Sequence, residues 1–295
     1  MKSILITGKN SYIGSRFEEW LAKYPDKYKV DAISLRDESW KEKDFSEYDV
    51  IYHVAGIAHR KETKENRELY YAVNRDLAYE VAKKSKQDGI KQFIFLSTMS
   101  VYGLESGVID EYTPLKPKSN YGKSKLQAEE LIKPLEDDSF KIAILRPPMV
   151  YGKGCKGNYP RLAKLAKATP IFPNIDNKRS MIYIDNLSEF VRLLIDSCAS
   201  GLFLPQNEEY VKTSEMVKLI AEANGRNLSL TRLFNWAIIV GLHLSEMFTK
   251  VFGDLIYDKE IKREFREFIN NNYLSYKTVS FEESIRATES KEKFK

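Results

Sequence analysis

Short runs of consecutive apolar and β-branched residues alternate, through the first half of the chain, with longer stretches whose apolar positions recur every three to four residues. Ser3 to Thr7, built around Ile4-Leu5-Ile6, reads as a buried strand, and Phe17 to Lys23 as an amphipathic helix. The alternation then repeats. Strand-type runs fall at Val30 to Leu35, Val50 to Val54, Gln92 to Leu96 and Ile142 to Leu145, with helical patterns at Leu69 to Lys84 and from Tyr121 to about Leu135. Strands separated by helices predict an α/β fold, a doubly wound parallel sheet. Beyond about Pro148 the pattern breaks into shorter, less regular elements. We therefore expect residues 1–150 to form the sheet domain, with later segments returning to it, and residues 151–295 to form mainly a smaller C-terminal lobe.

Composition narrows the class without naming a function. Hydrophobic residues make up 43% of the chain and charged residues 30%, the balance of an ordinary soluble globular protein. The net charge of +5, from 47 basic and 42 acidic residues, is spread along the sequence, so no nucleic-acid partner is expected. Cys155 and Cys198 have no metal-ligand spacing and make no disulfide framework, which fits a reducing compartment and no metal. The opening apolar run is too short for a signal sequence, and a cytoplasmic location is expected. Leu233 to Leu244 is interrupted by Asn235 and His243 and is shorter than the ~20 residues of a spanning helix. It reads as a core or lid helix, so no membrane partner is expected.

Candidate chemistry begins where the first strand ends. Thr7-Gly8-Lys9-Asn10-Ser11-Tyr12-Ile13-Gly14 is a glycine turn between a strand and a helix. Gly8 permits the tight turn and Gly14 lets the helix pack close to the strand. The amides at the helix start then face a pyrophosphate, the signature of a Rossmann-type dinucleotide site. Ser11 occupies the position of the middle glycine. The second strand ends in Ser34-Leu35-Arg36-Asp37 rather than in a lone carboxylate. Arg36 suits adenine stacking or a 2′-phosphate, and Asp37 a ribose, so NAD is favoured over NADP only weakly.

Ligands of such sheets bind beyond the carboxyl ends of the strands. Tyr121 and Lys125, four residues apart, share one helical face. An ammonium beside a phenol favours the phenolate and brings Tyr121 toward use as an acid or base near neutrality. Phe93 to Leu96 delivers Ser97-Thr98-Met99-Ser100-Val101-Tyr102-Gly103 at its carboxyl end, and Thr98 is the hydroxyl selected to bond the reacting oxygen.

Taken together, the chain resembles an extended short-chain dehydrogenase/reductase of the NAD-dependent epimerase/dehydratase family, with the UDP-glucose 4-epimerases as the nearest pattern. The matching pieces are the Thr7 to Gly14 turn, Asp44-Phe45, His53-Val54-Ala55-Gly56, Asn74, the Thr98 segment, Tyr121 with Lys125, and Arg146-Pro147-Pro148-Met149-Val150-Tyr151-Gly152. The resemblance implies Thr98, Tyr121 and Lys125 as catalytic residues. It implies a cofactor lined by Gly8, Asn10, Ser11, Tyr12, Ile13, Gly14, Arg36, Asp44, Phe45, Val54, Ala55, Gly56, Tyr121, Lys125, Pro148 and Val150, with Asp44 and Phe45 framing the adenine. Lys156, Asn158 and Arg179 correspond to positions that meet the UDP part of a substrate, where a forked guanidinium matches diphosphate oxygens. Homodimerisation through the helices at 69–84 and 121–135 is also implied.

Departures from the family pattern select among its reactions. Met99 and Ser100 replace the acidic pair that follows the hydroxyl residue in sugar dehydratases, so dehydration is disfavoured. The expected reaction is epimerisation at C4 of a UDP-hexose or UDP-N-acetylhexosamine, through a 4-keto sugar and with NAD as cofactor. Two alternatives stand beside it: an NAD(P)H-dependent reductase of a UDP-4-keto-6-deoxy sugar, and a non-catalytic NAD(P)-binding regulator.

Overall fold

The computed structural model describes residues 1–58, 60–233, 235–259, 276 and 279–290. Its centre is a six-stranded parallel sheet. In chain order, β1 (Lys2–Thr7) leads through α1 (Tyr12–Leu21) to β2 (Tyr28–Ile33) and then β3 (Val50–His53). A long helical stretch follows, α2 (Arg67–Tyr71), a π turn (Ala72–Asp76) and α3 (Leu77–Gln87), then β4 (Gln92–Leu96), β5 (Gly107–Ile109), α4 (Asn120–Ile132) and β6 (Lys141–Leu145). The sheet order is β2-β1-β3-β4-β6, closed at its far edge by β10 (Gly201–Phe203), which returns from the later part of the chain to pair with β6. The expected doubly wound parallel sheet is therefore present. Its central strands are buried along their length, which explains why they read as continuous apolar runs rather than as alternations.

Between β6 and β10 lie β7 (Met149–Tyr151), α5 (Asn158–Ala168), β8 (Ile171–Pro173), β9 (Met181–Tyr183) and α6 (Ile184–Ser197). After β10 come α7 (Thr213–Ala223), β11 (Ser229–Thr231), α8 (Asn235–Leu244), α9 (Glu246–Phe252), β12 (Leu255–Tyr257) and α10 (Phe281–Glu289). Three small parallel pairs, β7 with β9, β8 with β11 and β5 with β12, build the second part of the molecule.

One apolar cluster carries Ile4, Ile6 and Val50 of the sheet through Phe190 and Leu194 of α6 to Phe281 and Ile285 of α10. A second fills the other face of the sheet with Leu5, Ile51, Phe93, Phe95, Ala128 and Ile132. Among the described residues no helix is long and apolar enough to cross a membrane. Within the apolar run at 233–244, Leu233 and Trp236 are exposed and Ile238 is buried, while the side chain of Ile239 lies outside the described residues.

Candidate active site

The strand ends converge on the turn after β1. Gly8 adopts a φ of +118°, which favours glycine, and a Cβ placed there would stand 2.9 Å from the Ala55 amide nitrogen. The turns after β1 and β3 thus meet backbone to backbone. Ser11 caps α1 by accepting the Gly14 N–H at 3.1 Å, so the residue in the middle-glycine position has a local task. Asn10 carries the turn at a φ of 65°. Because α1 opens at Tyr12, its first-turn amides lack acceptors within the helix and, with the helix dipole, form an anion site. Tyr12 and Ile13 are half-buried, and the Tyr12 hydroxyl is buried beside Gly152.

At the nucleotide end, Arg36 is exposed just past β2. Asp37 accepts the Ser39 N–H at 3.1 Å and caps the short turn Glu38–Lys41, while Asp31 accepts the Tyr48 hydroxyl at 2.9 Å. Both carboxylates near the end of β2 are thus engaged within the protein. Asp44 is exposed and accepts the Ser46 N–H. Phe45, beside it, is turned inward. Its ring is fully buried among Trp40, Tyr48 and Val81, the Lys84 ammonium lies 4.9 Å from its centre, and its N–H donates to Asp88.

The chemical end is built by β3, β4 and α4. Val54 is buried, Ala55 half-buried and Gly56 exposed. A Cβ on Gly56 would come 3.0 Å from Asn74 Oδ1 and 3.4 Å from Lys125 Nζ, so the glycine leaves room for both groups. The buried Asn74 amide accepts the Ile57 N–H at 2.8 Å and donates to the Ile57 carbonyl and to Ser124 Oγ, tying the loop after β3 to α4. Lys125 Nζ donates to the Leu96 carbonyl at 2.7 Å, above the Phe95 ring. Thr98 leaves β4 in extended conformation, and its hydroxyl accepts the Ser100 N–H at 3.1 Å and donates to Ser100 Oγ at 3.2 Å. Gly122 packs against the Ser100 carbonyl, which holds the start of α4 to the Thr98 segment. Ser119 caps α4, and Glu62 receives both the Asn120 and Tyr121 N–H groups at 2.9 and 3.0 Å.

The expected tuning of Tyr121 by a neighbouring ammonium is not what this geometry gives. Burial is the largest influence and raises the phenol above its usual value, with the Thr98 side chain acting in the opposite direction. Burial also lowers the Lys125 ammonium to about 7, with Glu129 opposing it. The four-residue spacing does put both groups on one face, but the amine reaches into the sheet toward Leu96 rather than along the helix.

Beyond β6, Pro148 is buried and Val150 half-buried, and Val150 pairs with Ile182 between β7 and β9. Lys156 and Asn158 are exposed at the start of α5. Arg179 is half-buried just before β9. It bridges to Val211 and donates from Nη1 to the Gly253 carbonyl at 2.8 Å, and burial lowers its proton affinity against the influence of Glu105 and Asp254. The structure thus gathers the turn after β1, residues 54–56, Thr98, Tyr121 and Lys125 at adjoining strand ends, and sets Arg179 in the neighbouring β9–β12 region.

Several contributors were not found from sequence. Glu62 caps the helix of Tyr121 from a loop 59 residues earlier, and no local signal marks it. Glu129 was not singled out, although its position four residues beyond Lys125 is the signal that could have found it. His53 was noted only as part of a motif, yet it is fully buried at the end of β3, bonded to Thr7 Oγ1 at 2.8 Å and lowered by burial to about 3.

A glycine turn feeding a helix after the first parallel strand, with a Tyr and Lys pair one turn apart beyond the fourth, defines a dinucleotide-binding protein of the short-chain dehydrogenase/reductase class. Residues 4–203 match the NAD dependent epimerase/dehydratase family, and the chain belongs to it. It is 30% identical over 281 residues to the UDP-glucose 4-epimerase of Vibrio cholerae, covering 85% of this chain and 83% of that one. Among solved structures, the dTDP-4-dehydrorhamnose reductase of Bacillus anthracis in complex with NADP superposes with a TM-score of 0.73 at 22% identity, covering 98% of each chain. The UDP-glucuronic acid 4-epimerase of Bacillus cereus in complex with NAD gives 0.71 at 20%, covering 97% of each. Those two likenesses establish the fold. The cradle left by Gly8, Gly14 and Gly56 and the open amides of α1 fit the NAD after which the family is described.

Proposed function

We propose that the protein epimerises C4 of a UDP-hexose or UDP-N-acetylhexosamine through a transient 4-keto sugar. The observation that carries this reading is the convergence of Thr98, Tyr121 and Lys125 beside the glycine turn. NAD, when bound, would supply reversible hydride acceptance at C4 of the sugar. Tyr121 takes the 4-hydroxyl proton in the first half and gives it back in the second, so nothing is consumed overall. Thr98, at the end of β4, shares the sugar oxygen with the phenol and orients it. Lys125 holds a ribose hydroxyl of the cofactor with the protons not given to Leu96. Gly8, Asn10, Ser11, Tyr12, Ile13 and Gly14 receive the pyrophosphate, Val54 to Gly56 with Pro148 and Val150 flank the nicotinamide, and Asp44 lies toward the adenine. Lys156, Asn158 and Arg179 meet the diphosphate of the substrate. The Vibrio cholerae relative, a UDP-glucose 4-epimerase by name, supports the choice of reaction.

A second reading, reduction of a UDP-4-keto-6-deoxy sugar, draws on one observation. Asp37 and Asp31 are engaged within the protein while Arg36 is exposed at the end of β2, an arrangement that suits a 2′-phosphate and hence exchangeable NADPH. Incubating the protein with UDP-glucose, UDP-galactose and their N-acetyl forms without added reductant separates the two. Interconversion without net change in cofactor absorbance supports the epimerase. Inertness there, with stoichiometric NADPH consumption on a 4-keto sugar, transfers the assignment to the reductase.

A further inference from the structure

Behind Thr98, Tyr121 and Lys125 lies a buried ionic cluster to which the proposed reaction assigns no role. Glu129 is four residues beyond Lys125 and eight beyond Tyr121 on α4, so the three share a face. Its carboxylate receives Arg146 from Nη2 at 2.5 Å and from Nε at 3.1 Å. It also accepts the hydroxyl of Ser97, the residue next to Thr98. Arg146 in turn donates from Nη1 to the Tyr102 hydroxyl at 3.0 Å, and its carbonyl accepts the Tyr257 hydroxyl at 2.7 Å. Ser97, Lys125, Glu129 and Arg146 are all buried. A buried ion pair of this kind adds little net stability, because desolvation offsets the attraction, so its value lies in the one arrangement it enforces.

We propose that Glu129 is a positioning residue of the active site: clamped by Arg146, it anchors Ser97, fixes the adjoining Thr98 hydroxyl against Tyr121, and presents its charge to Lys125 one helical turn away. The inference rests on the roles proposed above for those three residues. Other groups facing Lys125 are His53 from β3, held neutral by burial, and the uncharged Asn74 amide from the π turn, with Tyr121 on its own helix. Arg146, from the end of β6, is already committed to Glu129. The carboxylate of Glu129 therefore sets the local charge around the amine.

Two variants separate the two parts of this role. Ser97→Ala removes the tether and leaves the ion pair intact; kcat should fall about tenfold with KM changed less than about twofold and the pH profile unmoved. Glu129→Gln keeps the shape and removes the charge. The titration of the Lys125 amine, followed by NMR of lysine labelled at Nζ and assigned with Lys125→Met, should then move at least ~0.5 pH unit lower. That measurement needs neither substrate nor cofactor. Should Glu129→Gln not fold, Glu129→Asp keeps the charge at shorter reach and should lower kcat as Ser97→Ala does, with the Lys125 titration nearly retained. Wild-type kcat in Ser97→Ala together with an unmoved Lys125 titration in Glu129→Gln overturns the inference. A Tyr121→Phe control tells the two levels apart: turnover surviving in that variant overturns the reading of the site, whereas its loss beside unchanged Ser97→Ala kinetics overturns the role of Glu129 alone.

Discussion

At the scale of single residues, the site depends on groups whose proton affinities are set by burial. Tyr121 carries the proton transfer in the proposed reaction, and removal of its hydroxyl in Tyr121→Phe should lower kcat by roughly 10²–10⁴ with KM little altered, measured with the UDP-sugar that turns over. His53 is lowered from 6.5 to about 3, and Lys125 from 10.5 to about 7, both chiefly by burial. Between each pair of values the unfolded chain binds a proton that the folded chain does not. Stability should therefore rise with pH from about 3 to 6.5 on account of His53, and from about 7 to 10.5 on account of Lys125. Each group contributes a slope of at most about 1.4 kcal/mol per pH unit. Urea unfolding across pH is the check: His53→Gln should flatten the acid slope alone and Lys125→Met the alkaline slope alone, and an unchanged acid slope in His53→Gln would contradict the assignment. The placement of Thr98 at a strand end and of Tyr121 and Lys125 on one helical face was legible because both are local facts. What lay beyond the sequence was the direction of Lys125, which is decided by the Leu96 carbonyl across the sheet.

Elements show the same division between local and tertiary information. Five of the six sheet strands and their parallel character could be read because continuous apolar runs and intervening helical periods are properties of adjacent residues; the edge strand β10 could not, since its three residues return from the later part of the chain to pair with β6. The π turn at Ala72–Asp76 could not. The sequence pattern there is that of one uninterrupted helix, and the extra residue per turn is explained only by Asn74, whose amide meets both polar groups of Ile57 and the Ser124 hydroxyl. Asn74→Leu strands those partners in the interior and should cost about 1–3 kcal/mol for each one left unpaired. Because the freed segment is the loop at Gly56, the same variant should also weaken NAD binding, by about tenfold or more on the scale of 1.4 kcal/mol per decade. Calorimetric titration with NAD beside urea unfolding distinguishes this from a purely structural loss: lowered stability with unchanged affinity would show that the loop does not touch the cofactor. Gly8→Ala tests the opposite turn. Its positive φ and the 2.9 Å approach to Ala55 leave no place for a methyl group, so NAD affinity should fall with little change in the far-UV circular dichroism.

Across the whole molecule, the sheet and the later elements share one interior. Ile4 and Ile6 of β1 belong to the same apolar cluster as Phe281 and Ile285 of α10, through Phe190 and Leu194 of α6. Polar ties follow the same route. Trp20 of α1 donates to Glu189 of α6 at 2.9 Å, Arg16 pairs with Asp185, and the Tyr151 hydroxyl bonds Ser284 of α10 at 2.6 Å. The last helix also begins with a capping box at Ser280 and Glu283, so it is shaped locally before it docks. If these contacts join the parts into one cooperative unit, a cavity at the far end of the chain should be felt in the sheet. Ile285→Ala, at a fully buried position, should cost about 2–5 kcal/mol. Loss of far-UV signal should still coincide with the change in tryptophan fluorescence, to which Trp20 and Trp40 contribute from the sheet side. Were the later elements a separate domain, the variant would instead unfold in two steps, with α10 and its neighbours melting before the strands. Coincident transitions at a lower urea midpoint would mean that the lobe facing the substrate cannot loosen without loosening the sheet that holds the cofactor, and so that substrate and cofactor meet on a single rigid frame.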